Sequence, residues 1–250
     1  MYIDIKELSH KYSTEDEDLL VLSNLSFSVG KEQFVSIVGP SGCGKSTLTK
    51  LIAGLSVPTK GKILISGSPV DSPRRSIGMA FQNPVLLEWR TALDNICLPL
   101  EIVSPQMTRI QKIARATELL EMVGLKDFSQ SRPSQLSGGM KQRVSLCRSL
   151  VHRPEILILD EPFGALDAFT REGLWKTLKD LKTSENFTCI LITHDLREAI
   201  YLSDEVVILT DRPGKVKKSV KINFKRDSNS IDKLYSKEAT KMLAFLRKQI

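Results

Sequence analysis

The sequence predicts an α/β fold interrupted by a helical insertion. Short apolar runs of strand length alternate with segments of helical period at both ends of the chain, and the stretch from about residue 91 to 150 has few β-rich runs. Taken in order, residues 3–8 alternate apolar and polar side chains, as a half-exposed strand does. Residues 15–18 (EDED) read as an acidic loop, and residues 19–29 as one or two strands that turn at Gly30 and Lys31. The run QFVSIVG carries Phe34, Val35, Ile37 and Val38 and ends at a glycine, the pattern of a buried parallel strand. STLTKLIAGL follows at helical period and stops at Gly54, and GKILISG at 61–67 is a short strand between glycines. Inside the insertion, ARATELLEMVGL has the apolar spacing of an amphipathic helix. From Glu155 the alternation returns as EILILD strand, REGLWKTLKDL helix, TCILIT strand, LREAIYL helix and EVVIL strand. SIDKLYSKEATKMLAFLRKQI closes the chain at helical spacing, and there is no internal repeat.

Composition narrows the class. The 250 residues suit one large globular domain or two small ones. Hydrophobic residues at 41% are too many for a disordered chain, and 14 Gly with 11 Pro are too few for a collagen-like one. No charge-free stretch exceeds 12 residues, so none can cross a bilayer as a helix. Asp4 and Glu7 stand where a signal peptide needs positive charge and then an apolar run, so a cytosolic chain is expected. Cys43, Cys97, Cys147 and Cys189 lie 54, 50 and 42 residues apart, which suits reduced packing residues and neither a zinc site nor a disulfide framework. The net charge of +7 is unevenly placed: residues 211–250 hold 12 Lys and Arg against 4 Asp and Glu, and the first 210 residues are near neutral. That basic segment fits nucleic acid, an anionic membrane surface or an ordinary solvated face.

Three motifs carry chemistry. Gly39, Pro40, Ser41, Gly42, Cys43, Gly44, Lys45, Ser46 and Thr47 match G-x-x-x-x-G-K-[ST], with a strand before and a helix after. Glycines let the backbone turn its N–H groups inward at phosphate oxygens, and the helix start adds its positive dipole end. Lys45 then reaches the β- and γ-phosphates and the Ser46 hydroxyl binds Mg²⁺. Ile156, Leu157, Ile158 and Leu159 make a buried strand tipped by Asp160, a Mg²⁺ ligand, and Glu161, a candidate general base. The third motif is Leu136, Ser137, Gly138, Gly139 and Met140, which opens a helix as a second anion nest. One triphosphate does not need two cradles, so the second is read as meeting a phosphate held by another subunit.

With these motifs in this order, the chain resembles the ATP-binding subunits of ABC transporters over nearly its whole length. The resemblance implies a P-loop NTPase of ABC ATPase type: a RecA-like core with an antiparallel β subdomain and an inserted helical subdomain. It implies a cassette over residues 3–235, with the helical subdomain at about 90–150 and the basic segment from 211, followed by a C-terminal helix over 236–250. It makes Gln82 in MAFQNP the Q-loop glutamine, joining Mg²⁺ and the attacking water to the membrane partner. Glu161 becomes the catalytic glutamate, Ala165, Leu166 and Asp167 the D-loop, His194 the switch histidine at the γ-phosphate, and Tyr12 the aromatic that stacks on adenine. Ser137, Gly138 and Gly139 face the partner subunit's ATP. His10 and His152 are read as structural.

A finer resemblance is to importers of the nitrate/sulfonate/taurine group, which extends to bicarbonate and other small solutes. It rests on Met140, the segment Leu86, Leu87, Glu88, Trp89, Arg90, Thr91, Ala92, Leu93, Asp94, Asn95, and the late Arg212, Pro213, Gly214. The group usually has proline where Glu88 stands. The implied protein is an importer's motor that binds ATP and Mg²⁺ and works as a homodimer or paired ATPase at the cytoplasmic face of the membrane. It serves separate permease subunits and, indirectly, an extracytoplasmic solute-binding protein, with no nucleic acid expected. Two rivals are a nucleic-acid or ribosome-associated ABC protein, suggested by the basic tail, and an exporter ATPase.

Overall fold

A computed structural model describes residues 1–13, 18–223 and 234–250. In chain order the strands are β1 (Ile3–Ser13), β2 (Asp18–Val29), β3 (Phe34–Val38), β4 (Lys60–Ile65), β5 (Ser68–Pro69), β6 (Ile77–Ala80), β7 (Ile156–Asp160), β8 (Thr188–Ile192), β9 (Glu205–Leu209) and β10 (Val216–Lys221). The helices are α1 (Lys45–Ile52), α2 (Ala92–Val103), α3 (Arg109–Met122), α4 (Gly138–Leu150), α5 (Ala168–Glu185), α6 (Leu196–Leu202) and α7 (Lys237–Gln249). The chain divides into two compact units, Met1–Arg74 with Thr188–Ile250, and Arg75–Phe187.

The first unit contains an antiparallel sheet in the order β2, β1, β4, β5. Ile3 and Ile5 alternate into its core, and then Leu8 is buried where strict alternation calls for residue 7. The cause is a bulge: Glu7 takes φ 50 and the register with β2 slips between Ile5 and Leu8. β1 therefore runs on to Ser13, five residues past the end of its alternating stretch. Residues 15–17 of the acidic loop lie outside the described residues, and Asp18 already belongs to β2. The unit's other strands centre on β3, all five residues of which are buried. Parallel neighbours on both sides, β8 and β9, explain why it reads as a continuous apolar run. β10 pairs antiparallel with β9. α6 packs on both β3 and α7.

In the second unit β6 and β7 pair in parallel, and α2 packs on α3 and α4. α2 contains Pro99 in its interior, which removes one helix hydrogen bond and hides the helix from a propensity reading. Its start is nonetheless well marked, since Thr91 accepts from the Asp94 N–H at 3.1 Å. α3 opens with a reciprocal capping box between Thr108 and Gln111. Arg115 on α3 is buried and ties three places together: it pairs with Glu185 at the end of α5, with Glu118 at 3.0 Å, and with the Val151 carbonyl at 3.5 Å.

Candidate functional site

The phosphate loop leaves β3 at Gly39 and enters α1 at Lys45. Gly42 and Gly44 take φ 75 and 103, a left-handed backbone that glycine adopts without steric cost. These two residues turn the loop, and a Cβ built on Gly42 meets nothing within 4 Å. Gly44 is also the cap of α1, so the first N–H groups of the helix point into the loop. Lys45 is buried, and its Nζ donates to the carbonyls of Gly39 and Pro40 at 2.8 Å each. The ammonium thus lies across the loop. Ser41 and Ser46 are exposed, while Cys43 and Thr47 are buried beneath. Burial raises the Cys43 thiol above the usual range, with Lys45 opposing.

Tyr12, near the end of β1, is connected to this loop. Its hydroxyl lies 3.3 Å from Thr47 Oγ1, and its ring meets His10 edge-on at 4.9 Å. Tyr12 is 39% exposed, so its aromatic side chain is accessible from solvent. Burial lowers the His10 pKa, so His10 supports Tyr12 as a neutral ring. His194 follows β8 and is exposed. Next to it Thr193 donates to the buried Glu198 and accepts from the Asp195 N–H at 2.9 Å, which fixes the turn that presents the histidine.

The second unit assembles its own set of predicted residues. β7 is fully buried and delivers Asp160, 5% exposed, at its end. Glu161 has φ 47, rare for a residue with a side chain. Gln82, which follows β6, donates from Nε2 to Glu161 Oε2 at 3.1 Å. The strand pair β6 and β7 thereby brings two predicted catalytic residues into direct contact. Ser137 caps α4 by accepting from the Met140 N–H at 3.3 Å, and Ser137 and Gly138 are exposed. Gly139 packs closely on the D-loop, since a Cβ there would come within 2.8 Å of Leu166 Cδ2. Asp167 caps α5 through Thr170, and those hydrogen bonds hold its carboxyl below the usual range.

Two residues that stand within or beside the sequence motifs have roles the sequence did not assign. Gln142, buried on α4, accepts from the Ala165 N–H at 3.1 Å and so links the signature helix to the D-loop. Asn95 is wholly buried; its Nδ2 donates to the Leu87, Arg90 and Thr91 carbonyls, and its Oδ1 accepts from the Leu87 N–H at 2.8 Å. It fixes the loop that carries Glu88 and Trp89, both exposed. Asp160 at the end of β7 and Gln82 after β6 offer hard oxygen donors of the kind that Mg²⁺ accepts, and Ser46 separately offers a hydroxyl in the first unit.

A glycine-rich loop between a buried parallel strand and a helix, an acid-tipped strand and a second helix-opening nest define an ATP-binding cassette, an ATPase fold. A family description, ABC transporter, matches residues 22–164, and the chain belongs to that family. It is 41% identical over 244 residues to an uncharacterized ABC transporter ATP-binding protein of Methanocaldococcus jannaschii, covering 96% of this chain and 91% of that one. It is 42% identical over 212 residues to the bicarbonate transport ATP-binding protein CmpD of Synechocystis, covering 85% and 75%. It is 39% identical over 243 residues to the aliphatic sulfonates import ATP-binding protein SsuB of Bacillus thuringiensis, covering 97% and 95%. Among solved structures, the ATP-binding cassette MJ0796 in a dimeric post-hydrolysis state with ADP and Pi superposes with a TM-score of 0.83 at 33% identity, covering 89% of this chain and all of that one.

Proposed function

We propose that this chain is the ATP-hydrolysing subunit of an ABC importer, coupling ATP binding and hydrolysis to uptake of a small solute of the nitrate, sulfonate, taurine or bicarbonate kind through a separate permease. The observation that carries the ATPase half is the phosphate loop, with Gly42 and Gly44 left-handed and Lys45 lying across it. The importer half is supported by relatives named for sulfonate import and bicarbonate transport. Among the described residues no helix is long and apolar enough to cross a membrane, so the permease is assigned to other chains.

In this reading the cassette spans residues 3–235 and the C-terminal helix 236–250. The loop N–H groups from Gly39 to Thr47 take the β- and γ-phosphates, Lys45 exchanging its two carbonyl contacts for phosphate oxygens. Tyr12 stacks on the adenine. Ser46, Asp160 and Gln82 would hold Mg²⁺, which would supply neutralisation of the phosphate charge. Water attacks the γ-phosphorus in line as the bond to the ADP oxygen breaks. Glu161 takes the water proton and His194 steadies the departing phosphate. A second subunit closes head to tail, so that its Ser137, Gly138 and Gly139 complete the cradle and its Asp167 adjoins it. The pair works at the cytoplasmic face of the membrane beside the permease, which receives solute from an extracytoplasmic binding protein.

The test is purification with the permease and its binding protein. Solute-stimulated ATPase activity and accumulation of a small anion in vesicles are expected. Solute-independent ATPase with outward transport would sink the importer reading.

A further inference from the structure

The residues beneath the phosphate loop form a platform with no function assigned so far. Gly39, which opens the loop, has little room for a side chain: a Cβ there lies 3.1 Å from both the carbonyl oxygen and Cβ of Leu209. At the other end of the same turn, a Cβ on Gly214 lies 2.3 Å from the Cys43 carbonyl oxygen. Residues 209 and 214 therefore support the loop at two places. Gly214 is fastened to β2, because its N–H donates to the Val21 carbonyl at 2.8 Å and its carbonyl accepts from the Ser23 N–H at 3.0 Å. β2 in turn supports the end of the loop, where a Cβ on Gly44 would strike Leu22 Cδ2 at 2.7 Å.

The turn is stiff in its own right. The Thr210 N–H donates to the Lys215 carbonyl at 2.9 Å, and the Lys215 N–H donates to Thr210 Oγ1 at 3.1 Å. The Thr210 hydroxyl donates to the Asp211 carbonyl at 3.0 Å. Gly214 lies outside the left-handed region, so its own backbone accepts alanine. What excludes a side chain is the Cys43 backbone. A carbon cannot sit 2.3 Å from a carbonyl oxygen, and a close-packed interior gives way only by moving the turn or the loop.

A phosphate cradle binds by aiming several N–H groups at one anion, which makes it sensitive to small displacements. We infer that the turn at residues 209–215 is a positioning element of the nucleotide site, in which Leu209 and Gly214 set the curvature of the phosphate loop from below. Gly214 is glycine for phosphate affinity and not for the turn's own conformation. This rests on the reading of the loop as an ATP cradle. It also gives a physical reason for glycine in the late Arg212, Pro213, Gly214 triplet.

The test uses the full chain, titrated with a fluorescent ADP analogue in Mg²⁺, with melting temperature measured alongside. Gly214→Ala is expected to weaken binding about tenfold or more and to raise KM for ATP more than it lowers kcat. Gly67→Ala is the comparator: Gly67 is left-handed at φ 79, with nothing within 4 Å of a Cβ, so the substitution lowers the melting temperature but leaves nucleotide affinity as in the parent. Thr210→Val loosens the turn without a clash and is expected to weaken binding about threefold, by the loss of hydrogen bonds from a stiff support. Binding by Gly214→Ala within twofold of the parent overturns the inference, as does an affinity loss in Gly67→Ala that tracks its melting temperature. If Gly214→Ala does not fold, unchanged affinity in Thr210→Val overturns it. A parent chain that binds no nucleotide overturns the cradle itself, which is a separate failure.

Discussion

Replacing Glu161 by Gln removes a carboxylate while keeping its size. In the structure the side chain of Glu161 is half-buried and accepts from Gln82 Nε2 at 3.1 Å. The amide oxygen of the variant can accept the same hydrogen bond, so the local geometry survives. The change from a charged to a neutral acceptor costs about 1 kcal/mol at most at such a site, which bounds the effect on ATP binding at about fivefold. Loss of the proton acceptor is larger. General-base assistance contributes about 10² to 10⁴ in rate, or about 3 to 5 kcal/mol of barrier. The rate effect must therefore exceed the binding effect by at least tenfold. Phosphate release at saturating Mg-ATP gives kcat, and titration with a fluorescent ATP analogue gives affinity. A variant that keeps more than about a tenth of parental kcat, or whose affinity falls as far as its kcat, refutes the role given to Glu161.

Three further outcomes follow from other contacts. Lys45→Ala is expected to weaken nucleotide binding by about tenfold or more, since the ammonium proposed to meet phosphate oxygens is lost, and calorimetry with ADP reads it directly. Arg115→Ala leaves Glu185, 11% exposed, without its main partner; a loss of about 3 to 5 kcal/mol is expected, or a fall in melting temperature of about 6 to 20 °C. The pair Arg115→Ala and Glu185→Ala together should cost less than the sum of the singles, and strict additivity would count against the ion pair. Burial raises the thiols of Cys97 to about 11 and Cys147 to about 12. A raised thiol pKa means a protonated, unreactive sulfur at lower pH, so at pH 8 only about one Cys97 in a thousand is thiolate. Native chain is expected to resist a thiol reagent at pH 8 and to show four reactive thiols once unfolded; rapid native labelling of either residue contradicts the packing described.

The phosphate loop was readable in sequence because its chemistry is local. Three glycines, a lysine and three hydroxyls within nine residues state the turn, the helix start and the ligand together. Asp160 and Glu161 were readable for the same reason, as the tip of an apolar run. The platform under the loop was not: Cys43 and Gly214 are far apart in the chain, and nothing near either residue says what a Cβ on the other would strike. β10 was missed because VKKSVK is an edge strand with a largely exposed, charged surface and no buried face to set a period of two. α2 was hidden by Pro99, and the length of β1 by the bulge at Glu7. Asn95 and Arg115 are polar residue types that nothing nearby in the sequence marks for burial, yet both are buried because a loop or a helix end needs their hydrogen bonds.

In the proposed mechanism, two copies of this chain, or this chain and a close relative, hydrolyse ATP at sites each completed by the other. A structure of the Glu161→Gln chain with Mg-ATP tests it most directly. The predicted result is a closed head-to-tail pair with each γ-phosphate between Lys45 of one subunit and the partner subunit's Ser137, and with adenine on Tyr12. A monomer saturated with ATP, or a pair whose nucleotides touch no residue of the partner's 137–139 segment, would contradict it.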